Sequence, residues 1–61
     1  MMSTWIIKVL EKSKSGVKFH LYANRLGATT QASGPCGITM ELSTFEDFCA
    51  DLGIDSGMVL N

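Results

Sequence analysis

The chain has 61 residues, 46% hydrophobic and 18% charged, which excludes the regime of disordered proteins and allows one compact domain spanning residues 1–61. A chain this short buries only about 60% of its unfolded surface, so its stability is marginal unless oligomerisation, a metal or a disulfide adds to it. The net charge of −1 hides a segregation: Lys8, Lys12, Lys14, Lys18 and Arg25 against Glu11 leave +4 on residues 1–35, whereas Glu41, Glu46, Asp47, Asp51 and Asp55 leave −5 on residues 36–61, so two oppositely charged surfaces are expected.

Met1-Met2-Ser3-Thr4 carries neither the basic region nor the apolar run of a secretory signal, and no stretch approaches the ~20 apolar residues of a membrane span. Cys36 and Cys49 are too few for a disulfide framework and are read as reduced, with a cytoplasmic location.

Residues 4–12, Thr-Trp-Ile-Ile-Lys-Val-Leu-Glu-Lys, are rich in β-branched and aromatic types and predict a strand with apolar residues on both sides. Ser13-Lys14-Ser15-Gly16 ends in the residue that suits a tight hairpin. In the next strand Val17, Phe19, Leu21 and Ala23 alternate with Lys18, His20, Tyr22 and Asn24, a period of two with one face buried.

The hairpin register decides which apolar row of the first strand is inside, because a slip of one residue exchanges the faces. A four-residue loop, 13–16, pairs Lys12 with Val17; it puts Ile6 and Leu10 inside and Trp5, Ile7 and Val9 outside, beside His20 and Tyr22. An odd-length loop does the reverse. In both cases an apolar strip is left on the outer face, where it calls for a partner.

From Leu26 to Gly37 the chain is small and polar, with three glycines and the only proline; Ala28 to Ala32 suits a short edge strand and the rest a turn. Ile38, Met40 and Leu42 alternate with Thr39 and Glu41 as a third main strand. Ser43-Thr44-Phe45-Glu46 has capping-box spacing, so a helix is expected to start there. Phe45, Phe48, Cys49 and Leu52 form its apolar stripe, Glu46 and Asp47 suit the positive end of its dipole, and Gly53 stops it. Ile54 and the segment from Gly57 to Asn61 are apolar enough to extend the core or add a strand. The expected fold is α+β: an antiparallel meander of three to four strands with one short C-terminal helix on one face.

No chemical signature accompanies this fold. His20 is the only histidine, and it shares no metal-ligand spacing with Cys36 and Cys49. Cys36, between glycines, could in principle serve as a nucleophile assisted by His20, but a turn cysteine without function explains it more simply. The glycines do not form a phosphate loop, and the acids lie on one helix face rather than as an acid and base pair. The protein is therefore read as non-enzymatic, with no cofactor and no metal.

Lys8, Lys18, His20, Tyr22 and Arg25 have the basic and aromatic types of a nucleic-acid surface. With a single Tyr on that strand and no net positive charge, nucleic acid is the less favoured partner, and a structural homodimer is a further alternative. The acids of the helix are too few for nucleic-acid mimicry.

Residues 43–53, Ser-Thr-Phe-Glu-Asp-Phe-Cys-Ala-Asp-Leu-Gly, resemble the Phe-Glu-(Asp/Glu)-aromatic-Cys-Ala-(Asp/Glu)-x-Gly segment of small bacteriophage-encoded accessory proteins. After Gly53 the chain departs from that pattern with Asp55-Ser56-Gly57-Met58. The resemblance implies a phage or mobile-element context and carries over no catalytic residue. Short proteins of this context, such as anti-CRISPR and other anti-defence proteins, act by occupying a surface of a host or defence protein. The expected role is thus to bind and inhibit or modulate a larger bacterial protein through Trp5, Ile7, Val9, Lys18, His20 and Tyr22, or through Ile6, Leu10 and Tyr22 in the other register.

Overall fold

A computed structural model describes residues 4–54, 59 and 60. The fold is α+β, an antiparallel sheet with one short C-terminal helix. Its elements are β1 (Thr4–Ser13), β2 (Gly16–Arg25), β3 (Ala28–Gln31), β4 (Ile38–Met40), α1 (Leu42–Leu52) and β5 (Val59–Leu60). β2 is central: β1 pairs along one edge and β3 and β4 share the other, while β5 joins the far side of β1 in parallel. Of the expected tail, Val59 and Leu60 form β5; Gly57, Met58 and Asn61 lie outside the described residues, as do residues 1–3 and Asp55.

The β1–β2 register combines the two alternatives open to the sequence. Next to the turn Ser13 pairs with Gly16 and Lys12 with Val17, as a tight loop requires. Between Val9 and Glu11 the ladder shifts by one residue, and beyond it Val9 faces Phe19, Ile7 faces Leu21 and Trp5 faces Ala23. Leu10 is the extra residue of a β-bulge. The bulge leaves one residue unpaired, at the cost of about one hydrogen bond's net stability, ~1 kcal/mol. In exchange the row Trp5, Ile7, Val9 turns inward instead of Ile6 and Leu10, and each large side chain removed from water contributes about 1.5–3 kcal/mol.

This corrects the outward placement of Trp5, Ile7 and Val9. Ile7 is fully buried with Val17 and Phe19, Ile54 is buried beside them, and Trp5 and Val9 pack against that cluster. Ile6 takes the outer face, partly exposed, opposite Tyr22, and Leu10 is 44% exposed.

β2 and β3 are joined by two residues, with Arg25 paired to Ala28 across Leu26 and Gly27. Both tip residues are left-handed, φ 53° and 81°, the signature of a type I′ turn, which matches the twist of the strands and favours Asn-Gly. Leu26 is an unusual occupant, apolar and 82% exposed. After β3 the chain leaves the sheet and returns: Gln31 faces Tyr22 and Ile38 faces Phe19. Residues 32–37 therefore stand opposite only His20 and Leu21, and β3 and β4 are two halves of one edge strand separated by an excursion.

α1 begins at Leu42, after Glu41 in extended conformation (φ −63°, ψ 154°), with no side-chain cap and no acid in its first turn. The expected capping box at Ser43 does not form. β4 ends at Met40, paired to Val17, so the sheet delivers the chain into the helix within one residue; Phe45 N–H donates to Glu41 C=O at 2.8 Å to close the first turn. The other end behaves as expected. Gly53 is left-handed, its N–H donates to Ala50 C=O at 3.1 Å, and Ile54 N–H donates to Cys49 C=O at 2.9 Å, a Schellman ending that delivers Ile54 to the core. Phe45, Phe48, Cys49 and Leu52 lie against the core cluster, with the Phe45 and Phe48 rings 5.0 and 5.7 Å from that of Phe19.

Two substitutions test these turns. A Cβ on Gly16 (φ 151°) would stand 2.5 Å from the Met40 carbonyl oxygen, so Gly16→Ala should destabilise by about 2 kcal/mol or more, whereas Gly34→Ala, which meets nothing within 4 Å, should leave the urea midpoint unchanged or slightly higher. Leu26→Asn should raise stability by about 0.5–1 kcal/mol, read as an increased thermal midpoint, because it relieves a left-handed leucine and an exposed apolar side chain together.

Candidate functional site

With α1 on the inner face, the outer face of the sheet carries no further element among the described residues. Strand alternation places Ile6 and Lys8 of β1 there with Lys18, His20, Tyr22 and Asn24 of β2. The cross-strand pairs are Ile6 with Tyr22, Lys8 with His20, and Glu11 with Lys18; Gln31 of β3 lies beside Tyr22 and Thr39 of β4 beside Lys18. The His20 and Tyr22 rings meet edge to face, with centroids 6.2 Å apart and planes at 62°, a geometry that aromatic quadrupoles favour. Ile6, Lys18, His20 and Tyr22 are partly buried and Lys8 is exposed.

Of the residues expected in a docking face, the structure thus brings together Lys18, His20 and Tyr22 and takes away Trp5, Ile7 and Val9. Arg25 also leaves the basic set, because it is odd-numbered in β2 and falls on the side of Ala23. Ile6, named only for the alternative register, belongs to the face. Ser33, which has no periodicity to single it out, holds the face in place.

Ser33 Oγ accepts the Leu21 N–H at 3.1 Å and lies 3.1 Å from His20 Nδ1. Leu21 stands where the excursion interrupts the edge strand, so its N–H has no ladder partner there and the hydroxyl supplies one. Leu21 C=O in turn accepts from Ala32 N–H at 2.8 Å. Gln31 Nε2 donates to the carbonyls of Ser33 and Gly34 at 3.0 and 3.4 Å, fixing the start of the excursion. Its far end is a β-turn closed by Gly37 N–H to Gly34 C=O at 3.1 Å, with Pro35 in the position that its fixed φ suits.

The Ser33 oxygen accepts the Leu21 N–H, and its contact with His20 Nδ1 aligns the imidazole ring on the outer face. Cys36 is exposed on the turn. The Cys49 thiol has a raised pKa, first from burial and then from the charge of Glu46, which keeps it protonated and weakly nucleophilic. Among the described residues no three His, Cys, Asp or Glu side chains could hold a metal ion. An open depression of about 150 Å³ lined by Glu11, Ser13, Ser15, Lys18 and Thr39 is below the ~300 Å³ at which small-molecule sites begin. No helix among the described residues is long and apolar enough to cross a membrane.

Comparison with protein-family models, with curated proteins and with solved structures finds no match to the chain.

Ser33→Ala should cost about 1–2 kcal/mol, since it leaves the Leu21 N–H unpaired. Hydrogen exchange should show the loss locally: the Leu21 amide accelerates while the amides of the β1–β2 hairpin near Lys12 keep their protection.

Proposed function

We propose that this is a non-catalytic binding protein that docks on a larger bacterial protein through the outer face of its sheet and thereby inhibits or modulates it. The observation that carries this reading is the composition of that face: Ile6, His20 and Tyr22 form a partly buried apolar and aromatic centre, flanked by Lys8 and Lys18, on the side opposite α1. Aromatic anchors inside a charged rim are the arrangement in which a few residues supply most of an interface's energy. The partner surface of matching chemistry has an apolar centre bordered by carboxylates. The resemblance of residues 43–53 to phage accessory proteins supports a bacterial cytoplasmic setting and a host or defence protein as the partner.

A second reading, single-stranded nucleic acid, draws support from the fact that Lys8, Lys18, His20 and Tyr22 share one face while Glu46, Asp47 and Asp51 lie on the helix. Salt separates the two: phosphate contacts make affinity fall steeply with salt, whereas an interface with an apolar centre responds less.

The test begins with capture of the partner from host lysate on the immobilised protein, followed by titration of the purified complex. Tyr22→Ala should weaken binding about tenfold to a hundredfold with an unchanged unfolding midpoint. Ile7→Ala, by contrast, should unfold or destabilise the chain by about 2–5 kcal/mol because it opens the core. Unaltered affinity in a folded Tyr22→Ala protein would overturn the reading.

A further inference from the structure

Resting on the reading of the outer face as a docking surface, we propose that His20 is the polar anchor of that face: Ser33 holds the ring proton on Nε2, and Nε2–H together with Lys8 takes one carboxylate of the partner protein. The register leaves this pair of donors without an acid. Lys12 and Arg25 fall on the helix side and Lys14 in the turn, so Lys8 and Lys18 are the outward cations of the two long strands. Lys18 stands opposite the outward Glu11, whereas Lys8 stands opposite His20 and has Leu60 of β5 on its other flank.

The place of the ring proton follows from the bonds at Ser33. A hydroxyl has one proton to give and two lone pairs. One lone pair takes the Leu21 N–H at 3.1 Å, and the acceptor within reach of the proton among the described residues is His20 Nδ1, also at 3.1 Å. The Ser33 O–H therefore donates to a bare Nδ1. A neutral imidazole held in this way carries its own proton on Nε2, because the bond made by one ring nitrogen fixes the state of the other. Among the described residues no side-chain polar atom is both buried and unpartnered, so Nε2, which has no partner there, reaches solvent as an unused donor.

Two donors, one of them cationic, match the two oxygens of a single carboxylate. Side chains directly opposite on paired strands stand about 5 Å apart at Cβ, and the exposed arm of Lys8 can close the remaining gap. Ile6 and Tyr22, the next cross-strand pair on this face, cover one side of the site and keep water from it, which strengthens the bonds made there. A phosphate chain laid along the same face would meet Glu11 beside Lys18, so the carboxylate of a protein is the better fit.

Nitrogen-15 spectra of the histidine ring test the first step, at about pH 8.5, where an imidazole is neutral. The parent should show a pyridine-type Nδ1 and a pyrrole-type Nε2. Ser33→Thr, which keeps the hydroxyl, should give the same pattern, and Ser33→Ala should move both nitrogens toward the averaged pattern of free histidine. Acetate tests the second step, exchanged for chloride at a constant ionic strength of about 0.2 M so that screening does not change. It should move the Nε2 resonance, and Lys8→Gln should reduce that movement about twofold or more.

A parent ring with its proton on Nδ1, or one indistinguishable from that of Ser33→Ala, would overturn the proposal. So would acetate acting no differently from chloride, or inorganic phosphate moving Nε2 where acetate does not, a result that would favour the nucleic-acid reading. All of these spectra are taken on the free protein, which separates this proposal from the docking reading. Unaltered capture by Tyr22→Ala would sink that reading with the ring pattern and the acetate response intact, whereas a proton on Nδ1 would sink this assignment and leave Tyr22 as an anchor.

Discussion

The register shift at Leu10 is the constraint from which the rest of the molecule follows. The turn at Lys14-Ser15 and the apolar row Trp5, Ile7, Val9 demand registers that differ by one residue, and a single continuous ladder cannot satisfy both. With the bulge, Ile7 joins Val17 and Phe19 in a core small enough that each member matters. Phe19 then receives Phe45 and Phe48 of the helix, and Ile54 closes the cluster through the left-handed ending at Gly53. Without the bulge the helix would face a sheet offering a different set of side chains, and the row Trp5, Ile7, Val9 would lie in water.

The same shift sets the character of the outer face. It removes most of the apolar strip that β1 offers and leaves Ile6 opposite Tyr22 and Lys8 opposite His20, so the face is aromatic and basic with a modest apolar centre. Its order comes from the edge. The hydroxyl of Ser33 satisfies Leu21 and contacts the His20 ring, and that ring lies against Tyr22. A serine in a polar excursion thus connects the backbone of the central strand to the side chains proposed to meet a partner.

Much of this fold was legible in the sequence. The alternation from Val17 to Asn24 marked β2 and its faces, Ala28 to Gln31 fell within the expected edge strand, the stripe Phe45, Phe48, Cys49, Leu52 gave the helix its inner side, and Gly53 gave its end. The face assignment of β1 was not legible, because both of its rows are apolar and periodicity cannot choose between them; a bulge has no local composition when its extra residue is simply another leucine. The start of α1 is not legible, because Ser43 and Glu46 have the right spacing for a cap while the end of β4 against Val17 determines where the helix begins. Of the docking residues, Lys18, His20 and Tyr22 were identified from their own strand, whose pattern is unambiguous. Ser33 was invisible, since its role arises from where the excursion crosses Leu21.

The division of the outer strand into β3 and β4 bears on how this small sheet stays out of trouble. An edge strand offers its unpaired amides and carbonyls to any extended chain that drifts past, and a long flat edge is a template for runaway strand addition. Here the edge offers four residues, Ala28–Gln31, then a knot of turns containing the only proline, then three more, Ile38–Met40. A foreign strand cannot run along it in continuous register. The four-residue half, Ala-Thr-Thr-Gln, is also exposed throughout and carries no large apolar side chain of the kind that makes fibril spines dry. The excursion at residues 32–37 thus denies an incoming strand a long continuous run along this edge of the sheet.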